Sequence, residues 1–324
     1  MMTSIAEAGE WKAVGILARI SARAPVYIAD ARANPGWALM FTLARLLPVR
    51  RALWELSSTS NLDLPETQDS LFGAVAIDQL LAELGPSGLV PGRISLPPHL
   101  CSEILQFAEE TPCFGNLQRG IEFLAADHAT AELRYRQSIL TGHYFDKSDK
   151  CPAILAIREN KTLHRIAAAY LGRRARVVST RLWWSFPTTS TVSEADLNLA
   201  SQDRLHFDLD DWRALKFFFY LTNVTVDGGP FAYVKGSHRS RLPCHQWTLL
   251  VGHPNDEVLS AYGAQNLEAV EGAAGTGIIV DPFGFHMGIR PKRTVRLMLE
   301  IGFGVSNVLT RRFYGEPAPS ESTQ

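Results

Sequence analysis

The apolar positions of the chain change their spacing near residue 172. Before it they recur three and four residues apart, the spacing that gathers one face of an α-helix. The run 71–84 (LFGAVAIDQLLAEL) is the clearest, and the Gly85-Pro86 pair behind it predicts where that helix stops. A short extended piece is predicted at 93–96, ahead of Pro97-Pro98. Leu100, Ile104, Leu105 and Phe107 predict a helix over 99–110, and 153–171 predicts another, closed by Gly172. The apolar stretch 37–47 is interrupted by Arg45 and followed by Pro48. It is too short to span a bilayer and predicts a buried or docked helix.

Beyond Gly172 the pattern becomes that of strands. Segments rich in β-branched and aromatic residues stand at 176–186, 214–224, 231–234, 276–281 and 294–303. Turn residues separate them, as in Asp227-Gly228-Gly229-Pro230 and Lys235-Gly236-Ser237. Short strands at such spacing predict a sandwich or barrel. The expected fold is mainly β with flanking helices, which would hide the edge and the apolar outer face of a sheet.

Composition narrows the class without changing this picture. A hydrophobic share of 46% with 20% charged residues belongs to a globular chain, not a disordered one. The formal net charge is -1 and the arginines form no run, so nothing electrostatic points to nucleic acid or an anionic membrane as partner. Cys101, Cys113, Cys151 and Cys244 lie far apart with no C-x-x-C pair. That disfavours zinc ribbons and thiol redox motifs and predicts reduced, mostly buried thiols. The first residues, MMTSIAEAGEWK, carry acids where a signal peptide wants positive charge, so a cytoplasmic location is expected.

Candidate chemistry begins at Leu205-His206-Phe207-Asp208. On a strand, positions i and i+2 share a face, so an imidazole and a carboxylate would project together toward a divalent metal. H-x-D alone also fits a surface strand with a solvated acid. A second piece lies near the end of the chain: Asp281-Pro282, then His286, then Arg296 ten residues later. Two histidines and one carboxylate on one side of a metal make the facial triad of non-haem Fe(II) oxygenases. Arg296 opens an apolar run, and an inward guanidinium there needs an anion. A dicarboxylate cosubstrate would supply it; so would an internal ion pair with Glu300 or Asp281.

The blocks His206-Phe207-Asp208, Leu215-Lys216-Phe217, Tyr220 to Val224, Gly228-Gly229-Pro230-Phe231 and Gly236-Ser237-His238-Arg239 resemble the phytanoyl-CoA dioxygenase family. Asp281, His286, Arg296 and the helix end Ala169-Tyr170-Leu171-Gly172 resemble it too, over about residues 90–304. The resemblance implies a double-stranded β-helix (jelly-roll, cupin-like) core. It implies Fe(II) held by His206, Asp208 and His286, with 2-oxoglutarate anchored by Arg296 and O₂ as co-reactant. Family members often carry a hydroxyl two residues past the second histidine, where this chain has Gly288. Asp208 in the carboxylate position argues against halogenation. His238 is expected to serve a turn beside the sheet, and His128, His143, His164, His245 and His253 to be surface or core residues.

The expected organisation is a helical extension over 1–90 packed on the core, an Fe(II)/2-oxoglutarate oxygenase domain over 91–310, and a flexible tail over 311–324. The expected reaction is hydroxylation of an unactivated C–H bond in a small apolar molecule such as a secondary metabolite, releasing succinate and CO₂. Of the aromatics Trp183, Trp184, Trp212, Phe217, Phe218, Phe219, Phe283 and Phe285, about half can point inward on strands. Two other classes fit a jelly roll: a cupin-like metal protein or isomerase that does not activate O₂, and a non-catalytic binding relative. Arg296 and the ordered family blocks count against the first, and the complete triad against the second.

Overall fold

A computed structural model of the chain describes residues 16–57, 71–188, 192–193, 196–197 and 200–306. Two antiparallel sheets stand at its centre. The larger runs β1 (Leu89–Ser95), β9 (Thr276–Val280), β6 (Ala214–Tyr220), β11 (Arg296–Gly304), β5 (Arg176–Ser185), β4 (Thr141–His143), β2 (Cys113–Gly115) and β3 (Glu122–Phe123). The smaller runs β10 (His286–Gly288), β7 (Phe231–Val234) and β8 (Leu267–Val270). Neighbouring strands are mostly distant in sequence, as expected of a jelly roll with crossing connections.

Alternation along the strands sorts the core into layers. On β6, Leu215, Phe217 and Phe219 join the cluster shared with the helices on the outer face of the large sheet. Phe218 and Tyr220 point the other way, into the cluster shared with the small sheet through Phe231, Tyr233 and Val270. On β11, Leu297, Leu299, Ile301 and Phe303 face the helices, and Met298 faces the interior. Trp184 faces the helices and Trp183 borders the interior cluster, so about half of the strand aromatics do point inward.

Helices cover both outer faces. The helix Pro98–Glu110 places Leu100, Cys101, Ile104 and Ala108 against the large sheet, with helix Ile77–Ser87 beside it through Leu80 and Leu84. On the small sheet, Trp37, Met40 and Ala44 pack with Leu205, Phe207, Phe283 and Phe285. The docked helix expected at 37–47 is in fact two, Pro35–Leu43 and Leu47–Ser57, the first capped by the Asn34 side chain accepting from the Trp37 N–H at 2.9 Å.

Local signals misplaced several ends. Residues 71–76 are not helical, and the helix Ile77–Ser87 runs through Gly85 and Pro86. It stops where Gly88 turns to φ 75° and its N–H returns to the Leu84 carbonyl at 2.7 Å. The helix expected over 153–171 is broken into Pro152–Arg158 and Lys161–Leu171. Asn160 starts the second by accepting from the N–H groups of Thr162 and Leu163. β2, β3 and β4 lie in a stretch read as helical, and two or three residues are too few to display a period of two. The expected tail 311–324 lies outside the described residues.

Candidate metal centre

His206 and His286 meet as a hydrogen-bonded antiparallel pair. The His206 N–H donates to the His286 carbonyl at 2.9 Å, and the His286 N–H returns to the His206 carbonyl at 2.8 Å. Directly opposed residues send their side chains to the same face, so eighty residues of separation vanish in one backbone pairing. Asp208 follows two positions on, its N–H bound to the Pro282 carbonyl at 2.8 Å. The segment 205–208 is extended but forms only isolated bridges, not the strand expected of it; the period-two geometry survives nonetheless.

The three side chains gather ligand atoms within 4.8 Å of one another. Nε2 of His286 lies 3.4 Å from Asp208 Oδ2, and Nε2 of His206 lies 3.9 Å from Asp208 Oδ1. Behind each ring stands a backbone carbonyl: Arg204 O is 3.0 Å from His206 Nδ1, and Gly284 O is 2.9 Å from His286 Nδ1. A carbonyl only accepts, so each ring carries its proton on Nδ1 and turns the Nε2 lone pair toward Asp208. Two lone pairs and a carboxylate facing one another repel unless a cation lies between them. Adjacent ligands at bond lengths near 2.1 Å sit about 3 Å apart in octahedral geometry, so a small contraction would close the set on a first-row metal.

The surrounding charges hold these states. Burial pushes His206 down to about 4, with His286 adding to the effect, so the ring is neutral and ready to ligate. Burial would raise Asp208, but the Lys216 ammonium beside it opposes that and holds the carboxyl well below its usual range. Lys216 Nζ lies 2.7 Å from Asp208 Oδ2, 2.7 Å from Asp210 Oδ2 and 3.6 Å from Glu300 Oε2. Burial would lower the Lys216 ammonium, yet those three acids keep it above its ordinary value. Glu300 is held further by the Ser179 hydroxyl at 2.7 Å and by Arg181 at 3.8 Å.

Arg296 lines the same cavity as His206, Asp208 and His286 and is 2% exposed. Neither Glu300 nor Asp281 pairs with it: Glu300 faces Lys216 and Arg181, and Asp281 accepts from the Tyr170 hydroxyl. Its own bonds run to Ser185 Oγ at 3.1 Å and the Ile289 carbonyl at 3.4 Å, while Nε has no partner. A buried guanidinium without a carboxylate leaves room for an incoming one. A Cβ at Gly288 would stand 2.9 Å from Arg296 Nη2, so the glycine makes space for the arginine. Ser185, on β5, gives Arg296 a hydroxyl partner.

Several residues in or beside this cavity were given no role at the site by the sequence. Lys216 and Glu300 stand at inward positions of the strands ALKFFFY and RLMLEIGFG, which apart from Arg296 are otherwise apolar. A charged residue at inward parity in an apolar strand was the available signal, since it requires a buried partner. His143, expected to be structural, lines the cavity on β4; it is buried, and its Nε2 has no partner. Trp183, Phe218, Phe231 and Met298 complete an apolar wall. His238 binds the Gly85 carbonyl with Nε2 at 3.1 Å, in the turn where Gly236 has φ 77°. Among the described residues, no helix is long and apolar enough to cross a membrane.

Comparison with known proteins bears on the whole arrangement. The family model of phytanoyl-CoA dioxygenase (PhyH) matches residues 87–290. A search of curated proteins gives no match. Among solved structures, EctD from S. alaskensis in its apo form is similar with a TM-score of 0.50 at 19% identity, covering 81% of this chain and 88% of that one. The same protein with bound Fe gives 0.49 at 19% identity, covering 81% and 89%. HygX from Streptomyces hygroscopicus, with nickel, 2-oxoglutarate and hygromycin B bound, gives 0.48 at 14% identity, covering 71% and 87%. At these identities the likeness is one of fold.

Proposed function

This chain belongs to the phytanoyl-CoA dioxygenase family of non-haem iron, 2-oxoglutarate-dependent oxygenases, and from that premise we propose that it hydroxylates an unactivated C–H bond of a small, largely apolar molecule. In this reading His206, Asp208 and His286 hold Fe(II), and Arg296 takes the distal carboxylate of 2-oxoglutarate. When bound, iron and 2-oxoglutarate convert O₂ into an oxidant able to attack a C–H bond, with succinate and CO₂ released. The observation that carries the proposal is the pairing, in one cavity, of inward Nε2 lone pairs with an arginine that no carboxylate neutralises.

Each residue has a definite task. The carbonyls of Arg204 and Gly284 fix the tautomer and angle of the two imidazoles. Lys216 holds one oxygen of Asp208, which leaves the other to ligate and keeps the acid ionised. Ser185 steadies Arg296 for bidentate contact with a carboxylate. Trp183, Phe218, Phe231 and Met298 exclude water and favour an apolar substrate body, and the free Nε2 of His143 can meet one polar group on it. Residues 16–57 and 71–87 fit a helical extension that packs on the oxygenase domain.

The test is anaerobic titration of the protein with Fe(II) and then 2-oxoglutarate, followed by visible absorption. A weak charge-transfer band that saturates at one equivalent of each is expected, and candidate metabolites that accelerate succinate release then identify the substrate. A protein that binds iron but develops no band with 2-oxoglutarate would contradict the role given to Arg296.

A further inference from the structure

A second cavity, of about 480 Å³, lies between the helix Leu47–Ser57, the end of the helix Lys161–Leu171, the start of β6 and the turn at 236–239. It shares no lining residue with the iron cavity. Arg50, Arg51, Arg213 and Arg239 line it, against only Glu55 and Asp281 as acids. No basic run exists in the sequence, because these arginines come from three separate segments that only the fold brings together.

None of the four makes a salt bridge with another described residue. Asp281 is already engaged by the Tyr170 hydroxyl at 2.8 Å and the Phe283 N–H at 2.9 Å. Arg213 caps the preceding helix through the Leu171 and Tyr170 carbonyls, and its guanidinium carbon lies over Trp54, 3.4 Å from the ring centroid. Arg50 lies on Phe283 at 4.0 Å and reaches one carbonyl, Ala44 O, at 3.4 Å. His238, buried at the same cavity, donates from Nε2 to the Gly85 carbonyl, so its unpartnered Nδ1 is an acceptor and takes no part in holding an anion. Cations this close oppose one another: burial first, and then Arg50, hold Arg213 down to about 9. Asp281 offsets part of the charge on Arg50 and Arg213, but four guanidinium groups against two acids leave the lining with a positive excess that an anion would balance.

We propose that this cavity binds a small-molecule oxyanion, a phosphate or a carboxylate carried on an apolar body, at a site separate from the iron centre. Arg50 and Arg239 contact the anion, and Leu47, Trp54 and Leu171 receive the apolar part. The volume suits a small organic molecule rather than a bare ion. The wall contributed by Leu47, Arg50, Arg51 and Trp54 lies outside the family match at 87–290, so the N-terminal helices create a site that the family domain lacks by itself.

Phenyl phosphate and benzoate share a ring and differ in the anion, which makes them suitable probes. Each is titrated calorimetrically into iron-loaded protein saturated anaerobically with 2-oxoglutarate, at constant ionic strength. One saturable site for at least one probe is expected, and the tighter probe names the anion. Arg239→Gln, an exposed position that leaves the core intact, should weaken binding about tenfold, and Arg50→Gln with it should abolish it. No saturable binding of either probe, or binding that survives Arg239→Gln and the double variant, overturns the proposal. So does binding seen only when 2-oxoglutarate is left out, because the anion would then be entering the iron cavity.

Discussion

Two clusters in this molecule have the same donor set and opposite chemistry. His206, His286 and Asp208 form one; His245, His253 and Glu257 form the other, and in each the ligand atoms lie within 4.8 Å. In the first, backbone carbonyls claim the Nδ1 protons and leave lone pairs facing the acid. In the second, Nε2 of His245 sits 2.9 Å and Nδ1 of His253 3.3 Å from Glu257 Oε1, while the Tyr262 hydroxyl occupies the other side of His245. There the ring N–H groups point at the carboxylate, so hydrogen bonds already satisfy it. The positive charge of Arg241 nearby further disfavours a cation. What stands behind a histidine decides whether it ligates or donates. His245 and His253, expected to be surface or core residues, are indeed buried, but spacing alone does not show that they meet at Glu257.

The comparison can be broken most directly by alanine substitution. His286→Ala and Asp208→Ala should leave a folded protein whose substrate-dependent succinate release falls below detection, whereas His253→Ala should change turnover less than about twofold. Metal analysis after dialysis should give one iron per wild-type chain and none in the first two variants. Tight metal retained by His286→Ala would mean that the second cluster ligates after all.

Arg296→Leu should raise the 2-oxoglutarate requirement about 100-fold, the cost of leaving one charge of a buried pair unpaired, with iron binding nearly intact. Iron lost while the cosubstrate requirement stays unchanged would assign the residue a structural role. Lys216→Met should lower iron affinity about 10- to 100-fold, because Asp208 loses the partner that orients it and keeps it ionised. Its affinity should also fall more steeply on acidification than that of wild type, a change that mere loss of packing would not produce.

The smallest effect belongs to the second cluster. Burial, with His245, holds His253 down to about 4 in the folded protein, against about 6.5 in the unfolded chain. A base with a depressed folded pKa costs nothing above pH 6.5, and destabilises as pH falls toward 4, where the loss levels off, because the unfolded chain takes the proton first. His253→Gln should therefore make the drop in urea midpoint between about pH 7 and pH 5 shallower. Glu257→Gln should cost on the order of 1 kcal/mol at neutral pH, since the acid is half-exposed and its bonds are partly screened.

The sequence by itself determined the fold class and named the proposed ligands. Residues such as Phe217 and Phe218, or Leu297 and Met298, alternate between two apolar environments, and that alternation is written in the order of the residues. That His206, Asp208, His286 and Arg296 belong together was legible because the proposed metal and dicarboxylate chemistry needs those residue types, and the fold lines one cavity with all four. Helix ends at Gly88 and Asn160 were not, since a left-handed cap or an N-cap competes with other local signals and packing picks the winner. Only tertiary structure decided that Ser185 supports Arg296, that Lys216 serves three acids at once, and that four scattered arginines surround one cavity. Those outcomes depend on which distant residues become neighbours. Electrostatic and hydrogen-bonding partners act over a few ångströms of space, and separation along the chain does not encode that distance.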